Sequence, residues 1–170
     1  MQLPAAEIAR RLDQTLADFA LEDLAHQPLH HLSLGQKRRV ALAGVMALQP
    51  ELLLLDEPTA YLDGLQTGKL LQELDRIHGQ GTTIVMATHD LDLAYGWADW
   101  ILVLHAGQLI LSDCPQAVFT DRVLLEELQL GMPLLLQVWY SLPEHLRQSQ
   151  LAPPTTIAEL RARYPSSADG

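Results

Sequence analysis

The chain has 170 residues, 48% of them hydrophobic and 19% charged, a balance that supports one folded domain and excludes the disordered class. Asp and Glu number 21 against 11 Lys and Arg, and the formal net charge of −10 argues against bulk attraction to nucleic acid or an anionic membrane surface. Cys114 is the single cysteine, so an internal disulfide framework is excluded; with no export signal and no apolar run near the ~18 residues that span a bilayer, the chain reads as soluble and cytoplasmic.

Ile8, Leu12, Leu16 and Leu21 recur at three- to five-residue spacing and predict a helix over 5–25. Gln27-Pro28 breaks it. The segment LSLGQ (32–36) follows, then a helix from about Gln36 to Leu48, with Val40, Gly44 and Ala47 on its inner face and Pro50 as its stop. LLLL (52–55), closed by Asp56 and Glu57, has the length of a buried parallel strand. A helix is predicted over 65–77, ended by Gly79 and Gly81. TTIVMATHD (82–90) is the clearest strand, β-branched with a polar tip. DLDLAYGWA (90–98) reads as a short helix, and DWILVLHAGQLILSD (99–113) as a hairpin turning at Ala106-Gly107. From Leu142, prolines punctuate a polar tail in which TIAELRARY (156–164) can form one more helix, with 165–170 expected to fray. The strand–helix alternation implies a parallel sheet in an α/β fold, whose functional groups gather at the carboxyl ends of the strands.

Two such ends carry chemistry. Asp56 and Glu57 are adjacent carboxylates at a strand exit, where one suits Mg²⁺, an ion that takes few protein ligands and keeps several waters. The other is placed to orient or deprotonate a water attacking phosphorus, help worth roughly 10²–10⁴ in rate. An isolated Asp-Glu-Pro would be a solvated turn; the leucines before it and TAYLD after it favour function. His89, at the neighbouring strand end, suits a hydrogen-bond donor to phosphate at neutral pH. The other histidines have no such context, and no cysteine–histidine spacing points to zinc.

In LSLGQ, Ser33 followed by Gln36 fits a capping box. A helix N-terminus also presents free amides and partial positive charge, and a glycine lets a phosphate approach. One geometry serves both ends. GLQTGKL (64–70) is not a phosphate loop: it is one residue short between its glycines, ends in Leu70 and does not follow a strand.

Together, LSLGQKRRVALAGVMALQPELLLLDEPTAYLD (32–63) and GTTIVMATHDLDLA (81–94) resemble the ATP-binding cassette family. LSLGQ is similar to the signature motif LSGGQ, LLLLDEP to the Walker B strand, TAYLD to the loop after it, and THD to the switch-histidine segment. The match covers about residues 1–120. The resemblance implies a partial P-loop NTPase-type sheet flanked by helices, with part of the helical subdomain at the N-terminus. It divides the chain into 1–48 (helical segment and signature helix), 49–141 (Walker B to switch-histidine core and hairpin) and a 142–170 tail.

The roles implied are Mg²⁺ positioning for Asp56, action on the attacking water for Glu57, and γ-phosphate contact for His89. Asp63 is placed in the loop crossing to a partner subunit. Ser33, Gly35 and Gln36 would touch the γ-phosphate of ATP held by that partner, since the family works as face-to-face dimers. Leu34 departs from the usual glycine and has to point away from the phosphate. The wording around the signature, the HAGQLILSDCPQAVF hairpin and the short tail look like the ATPase subunits of energy-coupling-factor importers, especially those for cobalt. The partners implied are a second ATPase subunit and integral membrane subunits, near residues 5–30, with no nucleic acid and a peripheral place on the cytoplasmic face of the membrane.

The 170 residues contain no G-x-x-x-x-G-K-[ST], no aromatic residue to stack on adenine and no glutamine loop. The expectation is therefore a fragment that alone neither binds ATP tightly nor hydrolyses it. The alternative is a non-catalytic module that pairs with a complete cassette and lends LSLGQ in trans; a role in DNA repair or chromosome organisation fits the acidic balance poorly.

Overall fold

Pro4, extended at ψ 146°, starts the first helix, α1 (Ala5–Asp18), in a computed structural model that describes residues 3–147 and 152–164. Within α1 the Glu7 carboxylate accepts from Arg10 at 2.9 Å and from Arg11 at 2.8 Å. The helix stops seven residues short of the expected 25 because Ala20 turns left-handed at φ 48°. No α1 residue is buried, Ile8 and Leu12 being 54% exposed; the core contacts come from Phe19 and Leu21 just past the helix end.

Two compact units, Met1–Ala87 and Thr88–Gly170, make up the chain. In the first, short 3-10 turns at Glu22–Leu24 and Leu29–His31 lead to α2 (Leu34–Met46). Its buried residues are Leu42 and Ala43, whereas Gly44, expected inside, is exposed with nothing within 4 Å of a built Cβ. Gln49, left-handed at φ 54°, separates α2 from β1 (Leu52–Asp56). After the loop at 57–63 comes α3 (Gly64–Gly79), then β2 (Thr83–Ala87).

β1 and β2 pair in parallel, as the alternation implies, from Leu52↔Thr83 to Asp56↔Ala87. Leu53 is buried, but Leu52 and Leu54 stand exposed on the other face, so the strand is covered on one side and not on both. The core of this unit joins Phe19, Leu21, Leu32, Leu42, Ala43, Leu53, Leu74 and Ile77. Leu74 and Ile77 are fully enclosed and each stabilises by about 2 kcal/mol. GLQTGKL occupies the opening turns of α3, a helix and not a phosphate-binding loop.

In the second unit, α4 (Leu91–Trp97) precedes an antiparallel hairpin of β3 (Ile101–His105) and β4 (Gln108–Asp113). Ala106 and Gly107 are both left-handed, at φ 49° and 78°, the geometry of a two-residue hairpin turn whose twist matches the strands. Four helices follow: α5 (Pro115–Thr120), α6 (Arg122–Glu127), α7 (Leu134–Ser141) and α8 (Ile157–Arg163). Tyr95, Val118, Phe119, Leu125, Leu135 and Leu136 form the core, with Tyr95 and Phe119 edge-on at 5.6 Å. Burial, reinforced by Tyr140 and Glu159, pushes the Tyr95 hydroxyl up to about 12.

The expected helix in the tail is present as α8. Thr156 caps it, Leu160 packs on the core, and the Arg163 guanidinium lies 5.3 Å over the Trp139 ring. The expected fraying at 165–170 lies outside the described residues. Among the described residues, no helix is long and apolar enough to cross a membrane.

Candidate functional site

Ser33 is the cap of α2. Its Oγ accepts from the Gln36 backbone N–H at 3.2 Å, while the Gln36 side-chain oxygen accepts from the Ser33 N–H at 2.8 Å. This capping box spends the side-chain oxygens of Ser33 and Gln36 and the backbone N–H groups of the same two residues. The Ser33 hydroxyl proton and the two side-chain amide protons of Gln36 are left unspent by it, beside the Leu34 and Gly35 backbone amides, which lie outside the box. The head of α2 therefore offers donors, as an anion requires. Leu34 is 48% exposed, in keeping with a side chain that takes no part in the core.

A Cβ built on Gly35 would lie 3.6 Å from the Gln66 side-chain oxygen, an ordinary contact, so packing within the chain does not demand glycine there. Gln66 also donates its backbone N–H to the Asp63 carboxylate at 2.8 Å, which caps α3. One residue thus bridges the heads of α2 and α3, bringing Gly35 and Asp63 to one neighbourhood.

Asp56 ends β1 on the exposed face shared with Leu52 and Leu54. At Glu57 the backbone leaves strand geometry, with φ 45°, and its N–H donates to the Ala87 carbonyl at 2.9 Å. Two turns follow, closed by Ala60 N–H to the Glu57 carbonyl (3.2 Å) and Leu62 N–H to the Thr59 carbonyl (3.1 Å). Tyr61 lies inside the second, at φ 62°, and is 94% exposed. The intervening carbonyls of Pro58 and Ala60 accept from the two terminal nitrogens of Arg38.

In the sequence Arg38 is one of three consecutive basic residues near a helix start. Its role as a tie between α2 and the 57–61 loop has no local signature, because donor and acceptors lie 20 and 22 residues apart. Gln66 likewise carries no local signature, because Gly35 lies 31 residues before it.

His89 belongs to the second unit, exposed between β2 and α4. Beside it the Thr88 hydroxyl accepts the Asp90 N–H at 3.1 Å, and Asp90 caps α4 through the Leu93 N–H at 3.0 Å. The structure thus brings Ser33, Gly35, Gln36, Asp63 and the Asp56-Glu57 turn into one unit and puts His89 in the other.

A Mg²⁺ ion fits the donor set at the β1 exit. Asp56 is an exposed hard-oxygen donor with a second carboxylate next to it in sequence. That matches an ion held by one or two carboxylates with water and phosphate completing its shell.

Comparison with known proteins agrees with the motifs. The family model for ABC transporters matches residues 3–60. A putative ABC transporter ATP-binding protein of Thermosynechococcus vestitus is 58% identical over 153 residues, covering 90% of this chain and 54% of that protein. The energy-coupling factor transporter ATP-binding protein EcfA of Carboxydothermus hydrogenoformans is 39% identical over 161 residues, 95% of this chain and 57% of that one. Among solved structures, CbiO1 of Clostridium perfringens, described as part of the ABC transporter complex CbiONQ, superposes with a TM-score of 0.63 at 39% identity. The superposition covers 76% of this chain and 52% of that one. The chain spans about half the length of the curated relatives it matches.

Proposed function

This chain belongs to the ATP-binding cassette family, and from that premise we propose that it contributes part of the ATP-hydrolysing subunit of an energy-coupling-factor type importer, driving uptake of cobalt or another small substrate. Residues 1–141 are the C-terminal portion of its nucleotide-binding domain and 142–170 a tail. The subunit pairs with a second ATPase subunit, docks on integral membrane subunits and lies peripherally on the cytoplasmic face of the membrane.

The observation that carries this reading is the head of α2, whose capping box leaves side-chain donors unspent. Ser33 Oγ–H, the Gln36 side-chain amide and the Leu34 and Gly35 N–H groups bind the γ-phosphate of ATP held by the partner subunit, with Gly35 allowing close approach. Glu57 orients the attacking water and takes its proton. His89 donates a hydrogen bond to the γ-phosphate. Asp56 holds Mg²⁺, which when bound neutralises charge on the phosphates. Asp63, fixed as the cap of α3, steadies the loop that crosses to the partner. In this reading the glycine-rich loop cradling the phosphates is contributed by a polypeptide segment outside these 170 residues.

The test is ATPase activity of the chain co-expressed with a complete cassette subunit, before and after Glu57→Gln and Ser33→Ala. Loss with both substitutions supports the reading. Loss with Ser33→Ala alone reduces the role to lending the signature in trans, and loss with neither overturns it.

A further inference from the structure

We propose that Arg38 is a positioning residue, whose guanidinium holds the loop after β1 in the shape that places Glu57. The inference rests on the reading of Glu57 as the group acting on the attacking water. Its basis is a hydrogen-bond count in the 57–62 loop. Glu57 N–H is taken by Ala87, Ala60 N–H by Glu57, and Leu62 N–H by Thr59, while Pro58 has no N–H to give. Those bonds close two turns but leave the Pro58 and Ala60 carbonyls to find donors elsewhere.

One arginine supplies both. Nη1 donates to Pro58 and Nη2 to Ala60, so the planar fork spans two carbonyls separated by one residue. The segment it grips is strained: Glu57 and Tyr61 are both left-handed, at φ 45° and 62°, a region that costs any residue with a Cβ and persists where surrounding contacts over-determine it. Tyr61, 94% exposed, gains no burial that would hold it there. The backbone bonds and the Arg38 fork both hold the loop.

Arg38 also lies one turn inside α2, the helix that Ser33 and Gln36 head. A displacement of the α2 head on engaging a phosphate is therefore carried by a covalently continuous helix to the carbonyls one and three residues after Glu57. The signature segment and the water-orienting carboxylate become mechanically joined through one side chain. A lysine cannot do the same, because its ammonium is a point donor without the fixed two-pronged geometry.

Two measurements test this. The first is amide hydrogen exchange on the 170-residue chain carrying Arg38→Met, which keeps the aliphatic stem and removes every donor. Exchange at Ala60 and Leu62 should accelerate, with α3 amides unchanged. The second is a kinetic cycle in the assembled ATPase. Arg38→Met should lower kcat on the order of 10²-fold with KM unchanged, the cost of misplacing a catalytic group by about an ångström. Arg38→Lys should recover part of that loss, and Arg38→Met added to Glu57→Gln should cause no further loss.

Parental exchange in the loop, or parental kcat in Arg38→Met, overturns the proposal, as does full additivity with Glu57→Gln. If Glu57→Gln itself leaves ATPase untouched, the functional reading falls instead, and loop exchange still decides whether Arg38 holds the loop. Should Arg38→Met fold poorly, Arg38→Lys carries both measurements.

Discussion

Ser33 can be made to separate folding from function, because its cap role needs an acceptor and its proposed phosphate role needs a donor. In the structure its Oγ accepts the Gln36 N–H at 3.2 Å, so the exchange rate of that one amide reads the cap directly. Ser33→Ala deletes acceptor and donor together. The lost cap costs about 1 kcal/mol, so protection of the Gln36 amide should fall ~5-fold. Ser33→Asp keeps an acceptor of equal capping strength and adds a negative charge that the helix N-terminus favours, so protection should stay at or above the parental level. That same charge repels a phosphate. The assembled ATPase should therefore lose activity in both variants, while amide protection falls only in Ser33→Ala. If Ser33→Asp exchanges as fast as Ser33→Ala, Oγ is not the cap. If Ser33→Asp retains parental ATPase, the head of α2 does not face a phosphate.

Two further perturbations test the local physics. Tyr61 is left-handed and almost wholly exposed, so Tyr61→Gly removes strain without losing packing and should stabilise the chain by about 1 kcal/mol; an unchanged or lower urea midpoint would contradict the loop conformation. Hydrogen bonds from Arg10 and then Arg11 hold the Glu7 carboxyl down to about 2 from its ordinary 4.5. Because the folded value is depressed, this ion cluster's contribution is present above about pH 4.5 and is lost as pH falls through about 2. A carboxyl-carbon NMR titration of Glu7 should show the low midpoint at low salt and an upward move as salt screens the pair; a midpoint near 4.5 at low salt would show that the arginines do not engage it.

What was legible in the sequence was whatever short-range chemistry decides. The Ser33–Gln36 spacing announced a capping box, and Ala106-Gly107 between alternating apolar residues announced the hairpin turn; both formed as expected. The parallel pairing of β1 with β2 followed from the intervening helix. The inner face of α2 did not follow. Val40, Ala41, Leu42, Ala43, Val45 and Met46 leave no polar stripe by which to orient the helix, so periodicity could not tell Leu42 and Ala43 from Val40, Gly44 and Ala47. Four leucines in β1 looked doubly buried, but burial depends on what covers each face, a property of the partner layers and not of the strand. Arg38 was illegible for the reason that makes it useful: its acceptors are backbone carbonyls, which carry no residue-type signature.

The proposed role of the chain as the hydrolytic portion of a cassette is tested most directly at Glu57. The assembled protein carrying Glu57→Gln is incubated with Mg²⁺ and ATP, separated from free nucleotide, and its bound nucleotide is quantified. With the water-activating carboxylate replaced by an amide of the same shape, the nucleotide recovered should be ATP, stably held and uncleaved, while the parent releases ADP. Recovery of ADP from Glu57→Gln at the parental rate would show that hydrolysis does not depend on this carboxylate, and would remove the site described here from the chemistry.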